Sequence, residues 1–357
     1  MQPGTPIAEL STPVPVIDEA VVAGNIARVQ AYMDEIGVRF RPHIKTHKLP
    51  AIARAQVEAG AQGINAQKIS EAEVFADAGF EDILITYNIV GADKLAALKR
   101  LNARIAALSV VADSAAVVAG LAATFGPGRP LTVLVECDTG GKRCGVQTPE
   151  AARDLAQRIA AAPGLRFGGL LTYPSPNGEV AGEAFLAEAV RMLAAAGLSC
   201  PTVSYAGTPS LFSAEKVRSA NEYRAGTYVY NDRAMVRAGH CTIEQCAMTV
   251  LTTVVSRPTA ERAVIDAGSK ALTSDLLGFA DYGVVLGYPE ARVVTLSEEH
   301  AVIDLGTGGG AQPQVGDKLR IVPNHTCVVS NLFDEVVFHR DGLVTRALPV
   351  AARGRVW

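Results

Sequence analysis

The chain has no C-x-x-C pair, no run of like charge, no internal repeat, no low-complexity segment and no uninterrupted apolar stretch of membrane-spanning length. Each absence excludes something. The six cysteines, Cys137, Cys144, Cys200, Cys241, Cys246 and Cys327, follow no metal-knuckle spacing, and a chain this long needs no disulfide staples. They read as reduced, mostly buried small hydrophobes, and only Cys327 has a neighbour that suggests chemistry. A net charge of −3 with no basic stripe makes nucleic acid a poor partner. Alanine-rich stretches are broken by charge before they could span a bilayer. The first fifteen residues carry four prolines and lack the basic-then-apolar order of a secretory or transit leader. The expectation is a cytoplasmic enzyme.

What the chain does have is apolar substance: 357 residues, 49% hydrophobic and 19% charged, enough for a large core and more than one ordinary domain. Up to about residue 230, short apolar runs alternate with segments of helical period, the pattern of repeated βα units around a parallel sheet. Strands are expected at 14–17, 38–42, 63–66, 83–87, 108–112, 131–137, 167–172, 203–206 and 223–230. Asp18 should cap a helix with Val22, Ile26, Val29 and Met33 on its apolar face, ended at Gly37. Nine strands are one too many for a closed (β/α)₈ barrel, so 14–17 is expected to leave it. From about 245 the runs are β-type, with turns and no good helices between. The expected division is a barrel over 18–240 and an all-β domain made of 1–17 and 241–357.

Candidate chemistry begins in Arg41-Pro42-His43-Ile44-Lys45-Thr46-His47-Lys48. Strand ends carry the active groups of such barrels. A lysine desolvated there beside other cations becomes a neutral amine able to form a Schiff base. The bland alternative is a solvated loop lysine. At the other end of the chain, Pro323-Asn324-His325-Thr326-Cys327 sets an imidazole and a thiol two residues apart. On an extended strand both would face one side and could share an ion, although a lone H-x-C is a weak motif.

Residues 41–48 resemble the cofactor-lysine motif of the D-threonine aldolase and D-serine dehydratase family. The likeness continues in order through 63–72, 136–145, 205–210, 222–232, 266–268 and 323–327. The resemblance implies an alanine-racemase-like fold, a barrel plus a β-domain completed by the N-terminal strand, and a homodimer. It implies pyridoxal phosphate on Lys45, and a small D-amino acid as substrate. For the phosphate it points to Gly207, Thr208, Ser210, Gly226, Thr227 and Tyr228, in two segments that alone would be read as turns; Pro209 has no N–H to offer. It sets Arg143 at the cofactor's phenolic oxygen and Tyr173 facing the cofactor. It makes His325 and Cys327 a divalent-metal pair, and the thiolate favours Zn²⁺ over Mn²⁺ or Mg²⁺. Lys270 and His300 match family positions near substrate or metal, with a structural role equally open. His240 and His339 read as ordinary surface histidines.

Within the resemblance two reactions compete. Residues 67–72 and the stretch to Gly91 are closer to D-threonine aldolases, and His325-Thr326-Cys327 is closer to the dehydratases. Aldolases carry histidines just after the tyrosine matching Tyr173; here the segment is Pro174-Ser175-Pro176-Asn177-Gly178. Retro-aldol cleavage leads, D-serine or D-3-hydroxyaspartate dehydration follows. A non-catalytic pyridoxal-phosphate carrier is disfavoured by the β-domain and metal pair, and a racemase by the lack of an identifiable second base.

Overall fold

The computed structural model describes residues 2–307 and 312–357. The chain divides into two compact units, one of Arg28–Lys45, Pro50–Gly226 and Arg355–Trp357, the other of Met1–Ala27, Thr46–Leu49 and Thr227–Gly354.

The first unit is built on eight parallel strands: β2 (Arg39–Phe40), β3 (Ile64–Ala66), β4 (Asp82–Asn88), β5 (Ala107–Ala112), β6 (Leu131–Cys137), β7 (Leu165–Thr172), β8 (Thr202–Ala206) and β9 (Glu222–Arg224). Their order runs from β2 to β9 and then stepwise back to β3. The residues after β2 join the free edge of β3 through a parallel bridge from His43 to Asn65 and hydrogen bonds from Asn65 N to Pro42 O and from Ile44 N to Asn65 O. The sheet thereby closes on itself as a TIM-type barrel. Between strands run α2 (Pro50–Glu58), α3 (Ile69–Asp77), α4 (Ala92–Arg104), α5 (Ala115–Thr124), α6 (Pro149–Ala161) and α7 (Glu179–Ala195). Local signals start them: the Ser114 hydroxyl accepts from Val117 N, and Thr148 does the same for Ala151 N ahead of Pro149. One glycine is dictated by packing. At Gly169, φ +130°, an added Cβ would lie 1.9 Å from the Thr202 carbonyl, beside a register shift between β6 and β7.

The second unit holds a nine-stranded sheet. Strand β1 (Val14–Asp18) lies antiparallel to β10 (Met248–Ser256) and parallel to β16 (Glu335–Arg340). The rest are β11 (Arg262–Ile265), β12 (Gly283–Val285), β13 (Arg292–Leu296), β14 (Ala301–Asp304), β15 (Lys318–Pro323) and β17 (Leu343–Pro349). The N-terminal strand thus completes this sheet, where Val14 and Val16 bury themselves among Leu10, Leu251, Val337 and Val344. The Asp18 carboxylate accepts from Ala20 N and Val21 N and starts α1 (Glu19–Glu35), whose Val22, Ile26, Val29 and Met33 are buried.

Four readings need correction. Residues 223–230 are not one strand: β9 ends at Arg224 and Thr227–Val229 form a 3₁₀ turn, closed by Tyr230 N and Asn231 N on the Thr227 carbonyl. The β-rich half does contain helices, α8 (Arg233–Arg237), α9 (Ser269–Leu272) and α10 (Thr326–Leu332). The valines of α10 look like strand, but the Asp232 carboxylate accepts both Thr326 N and its hydroxyl and favours a helix start there. The compact units differ from the expected division at 17/18 and 240/241: residues 18–27, 46–49 and 227–240 go with the β-rich unit and Arg355–Trp357 with the barrel unit, and Asn25, for one, donates to Val229 O and Gln245 O. Finally, His240 and His339 are buried.

Candidate active site

In the barrel unit, Lys45 is half-buried in the turn that follows the His43 bridge, at the C-terminal end of the closing strand. His43 below it is held by Gln67, whose Oε1 is 3.1 Å from Nε2, and Gln67 is fixed in turn by the Thr86 carbonyl. The barrel interior beneath is charged. Arg41 bonds Glu222 at 3.0 Å and Asp82 at 2.8 Å. Arg224 donates to Ser204 Oγ at 2.8 Å and to the Thr172 carbonyl at 2.7 Å. Burial disfavours charge on Glu222, but Arg41, Ser204 and Arg224 outweigh it and hold its carboxyl below the usual value. Burial also pulls Arg224 down to about 10 against the pull of Glu222 and Glu136.

After β8, Gly207 has φ +122° and open space where a Cβ would stand. Its own N–H is taken by the Arg224 carbonyl at 3.0 Å, so this glycine shapes the loop and is no free donor, contrary to the expectation. Thr208 and Ser210 are buried, and among the described residues no protein partner takes their hydroxyls. Two such hydroxyls beside an open glycine form a cradle that suits a phosphate. Gly226 closes β9's end and is buried; Thr227 and Tyr228 follow it in the chain, in the other unit.

A cavity of about 510 Å³ opens at the ends of β4 and β6, lined by Thr86, Asn88, Lys94, Glu136 and Arg143 among others. The Arg143 guanidinium lies 4.9 Å from the centre of the Tyr173 ring, so these two expected cofactor contacts meet each other. Asp113, Glu136 and Cys144 bring ligand-type atoms within 4.8 Å of one another here. Arg143 donates to the Cys144 thiol and acts electrostatically on Glu136. The guanidinium already supplies the positive charge this cluster calls for, and we assign it no metal.

The second unit carries the other candidate pair. His325 is the residue before α10 and Cys327 lies in its first turn, so the extended-strand argument for their shared face fails. The helix start brings them together all the same, imidazole hydrogen-bonded to thiol. Asp275 Oδ2 is 2.8 Å from His325 Nδ1. Thr46 Oγ1 and Thr227 Oγ1 lie 3.2 and 3.7 Å from Cys327 Sγ. Burial pulls His325 toward neutrality, but Cys327 and Asp275 prevail and lift it to about 9. Burial pushes the Cys327 thiol up, and His325 and Thr46 bring it below its ordinary value. A thiolate beside an imidazole is a donor pair that fits a borderline-soft divalent cation. Lys270 is exposed and paired with Glu298 and Glu299 at 2.9 and 2.7 Å, and His300 is exposed.

Residues 17–234 match the alanine racemase N-terminal domain family, and 247–339 the putative serine dehydratase domain. The chain is 36% identical to D-threonine aldolase of Arthrobacter sp over 99% of its own length and 95% of that protein. The chain belongs to the D-threonine aldolase and D-serine dehydratase family. Enzymes of this family are pyridoxal-phosphate-dependent lyases. D-threo-3-hydroxyaspartate dehydratase of Delftia sp. is 35% identical over 91% of this chain and 93% of that one. The crystal structure of D-threonine aldolase from Filomicrobium marinum superposes with TM-score 0.91 at 33% identity, covering 100% of both chains. A D-threo-3-hydroxyaspartate dehydratase variant solved in a metal-free form superposes with TM-score 0.87 at 32% identity, covering 99% and 100%. Among the described residues no helix is long and apolar enough to cross a membrane. Sequence reasoning missed Asp275, which lies fifty residues before His325 with no motif to join them, and it missed the buried Arg41–Glu222–Arg224 system, whose members read singly as strand-end polar residues.

Proposed function

We propose that the chain is a lyase for D-3-hydroxy-α-amino acids that uses pyridoxal phosphate and a divalent metal, and that its leading reaction is retro-aldol cleavage to glycine and an aldehyde. The observation that carries this is the pairing of two separate devices in one family chain: Lys45 at a barrel strand end, and His325 with Cys327 joined at a helix start. When bound, pyridoxal phosphate supplies an electron sink for a bond broken at Cα. Lys45 would hold it through its ε-amino group and would be the residue placed to hold or give a proton at the substrate's Cα. Thr208, Ser210 and Gly226 hold the phosphate with the chain's next residues, Thr227 and Tyr228, while Gly207 shapes their loop. Arg143 donates to the phenolic oxygen, and Tyr173, stacked on Arg143, borders the ring.

His325 and Cys327 hold the metal, Zn²⁺ by donor softness with Mn²⁺ or Mg²⁺ as alternatives, for Lewis-acid polarisation of the substrate's β-hydroxyl. Dehydration to a 2-oxo acid and ammonia is the second reading. Two observations favour it, the thiolate ligand and the 174–178 segment without a histidine. We propose a cytoplasmic homodimer as the working form. The test is to incubate the metal-loaded holoenzyme with D-threonine and with D-serine and identify products. Glycine plus aldehyde supports the leading reading, 2-oxo acid plus ammonia the second. No turnover of any D-3-hydroxy amino acid leaves a non-catalytic cofactor carrier.

A further inference from the structure

We propose that Asp275 is a positioning residue that presents His325 to the metal; the inference rests on reading His325 and Cys327 as the metal pair. An imidazole has two nitrogens and a ligand uses one. With Asp275 Oδ2 2.8 Å from Nδ1, the carboxylate accepts the Nδ1 proton and leaves Nε2 as the lone pair on offer. The arrangement fixes the tautomer and ring plane and makes the imidazole a stronger donor.

Asp275 is itself held. Its N–H donates to Thr273 Oγ1 at 3.2 Å and its carbonyl accepts from Asn324 Nδ2 at 3.2 Å. The same amide donates to the Asp281 carbonyl at 2.8 Å, and Arg233 bonds both the Asp281 carboxylate and, at 3.2 Å, Asn324 Oδ1. Asn324 is the residue before His325, so one side chain locks the Asp275 loop to the chain that carries the histidine. Thr273 and Leu277, either side of Asp275, have φ +66° and +48°. Such left-handed backbone at non-glycine residues persists where surroundings enforce it, and it clusters at functional sites. A half-exposed ion pair placed only for stability would contribute little and would need none of this.

The test uses the full-length protein, stripped by chelation and titrated with Zn²⁺ against a chromophoric chelator, with Co²⁺ as a spectroscopic probe. Wild type should bind one equivalent at the pair. Asp275→Asn and Asp275→Ala should keep that stoichiometry, bind about 10–100-fold more weakly and shift the cobalt spectrum, with Asp275→Glu recovering part of the loss and cofactor absorbance unchanged throughout. Wild-type Zn²⁺ affinity and an unshifted cobalt spectrum in both Asp275→Asn and Asp275→Ala would overturn the proposal while leaving the metal pair standing. If His325→Ala and Cys327→Ser bind Zn²⁺ as tightly as wild type, or wild type binds none, the metal reading fails and the inference falls with it.

Discussion

The eight parallel strands enclose Arg41, Glu222 and Arg224: Arg41 bonds Glu222, Ser204 links Glu222 to Arg224, and Arg224 reaches Asn65 and the Thr172 carbonyl. The nine-stranded sheet buries aliphatic residues instead, Val14, Val16, Leu251, Val337 and Val344 among them. A closed barrel has an interior that charges can share only if each is paired, and that network lies beneath the turn that carries Lys45. The antiparallel sheet also buries Thr249, Thr252 and His339, and its candidate metal pair falls where the β pattern breaks, at the start of α10. One unit thus carries the proposed covalent anchor above a charged network, and the other the proposed metal pair at a helix start.

The largest effect should come from separating the two devices. Lys45→Ala should lose turnover and the yellow cofactor absorbance while circular dichroism and Zn²⁺ stoichiometry stay at wild-type values. His325→Ala should do the reverse, keeping the cofactor, which borohydride still fixes to Lys45, while losing the metal. Recovery of the reduced cofactor on Lys48 or Lys68 would break the assignment.

The two interiors should also fail differently. Glu222 is 2% exposed, and Glu222→Gln should cost about 3 kcal/mol, since it strips Arg41 of one of its two carboxylate partners and Arg224 of one of the charges that favour its ionised form; urea unfolding measures it. Its folded pKa lies below the unfolded value of 4.5, so its stabilisation is present above that pH and is lost as pH falls through the folded value. Glu222→Gln should therefore flatten the acid limb of the stability profile. A steep wild-type limb retained in the variant would show that the charge network does not control it.

How much of this was legible depended on whether a signal was local. The strand at 131–137 was readable to the residue because Leu131 to Val135 form an unbroken strand-favouring run, and 14–17 could be sent to the other sheet because a barrel closes with eight. The rest needed tertiary contacts. His325 and Cys327 were expected on an extended segment with no helix at 326–332, because the start of α10 depends on Asp232, 94 residues away. The His325–Cys327 pairing was reached by a strand argument that the helix start replaces. Gly207 looked like a phosphate donor until its N–H was found on Arg224, a bond between neighbouring strand ends that no loop motif encodes.

A smaller effect should appear in the β-sheet unit at milder pH. His339 is 2% exposed with both ring nitrogens unpartnered. Burial, aided by Arg320, lowers its pKa from 6.5 against the pull of Asp18, Glu19 and Asp341. The fold prefers the neutral ring, so this stability is present above 6.5 and is lost as pH falls through 6.5 toward the folded value. The urea midpoint of wild type should drop between pH 7 and pH 5 and that of His339→Leu should drop less. Equal slopes would remove His339 from the account.

The most direct measurement follows cofactor absorbance and turnover of D-3-hydroxy amino acids together while the holoenzyme is exhaustively chelated. If lysine and metal pair are separate devices, turnover should vanish with the absorbance intact and return on adding Zn²⁺ or Mn²⁺. Full activity after complete metal removal on every substrate tested would contradict the account and leave His325 and Cys327 as no more than a histidine and a cysteine that share a hydrogen bond.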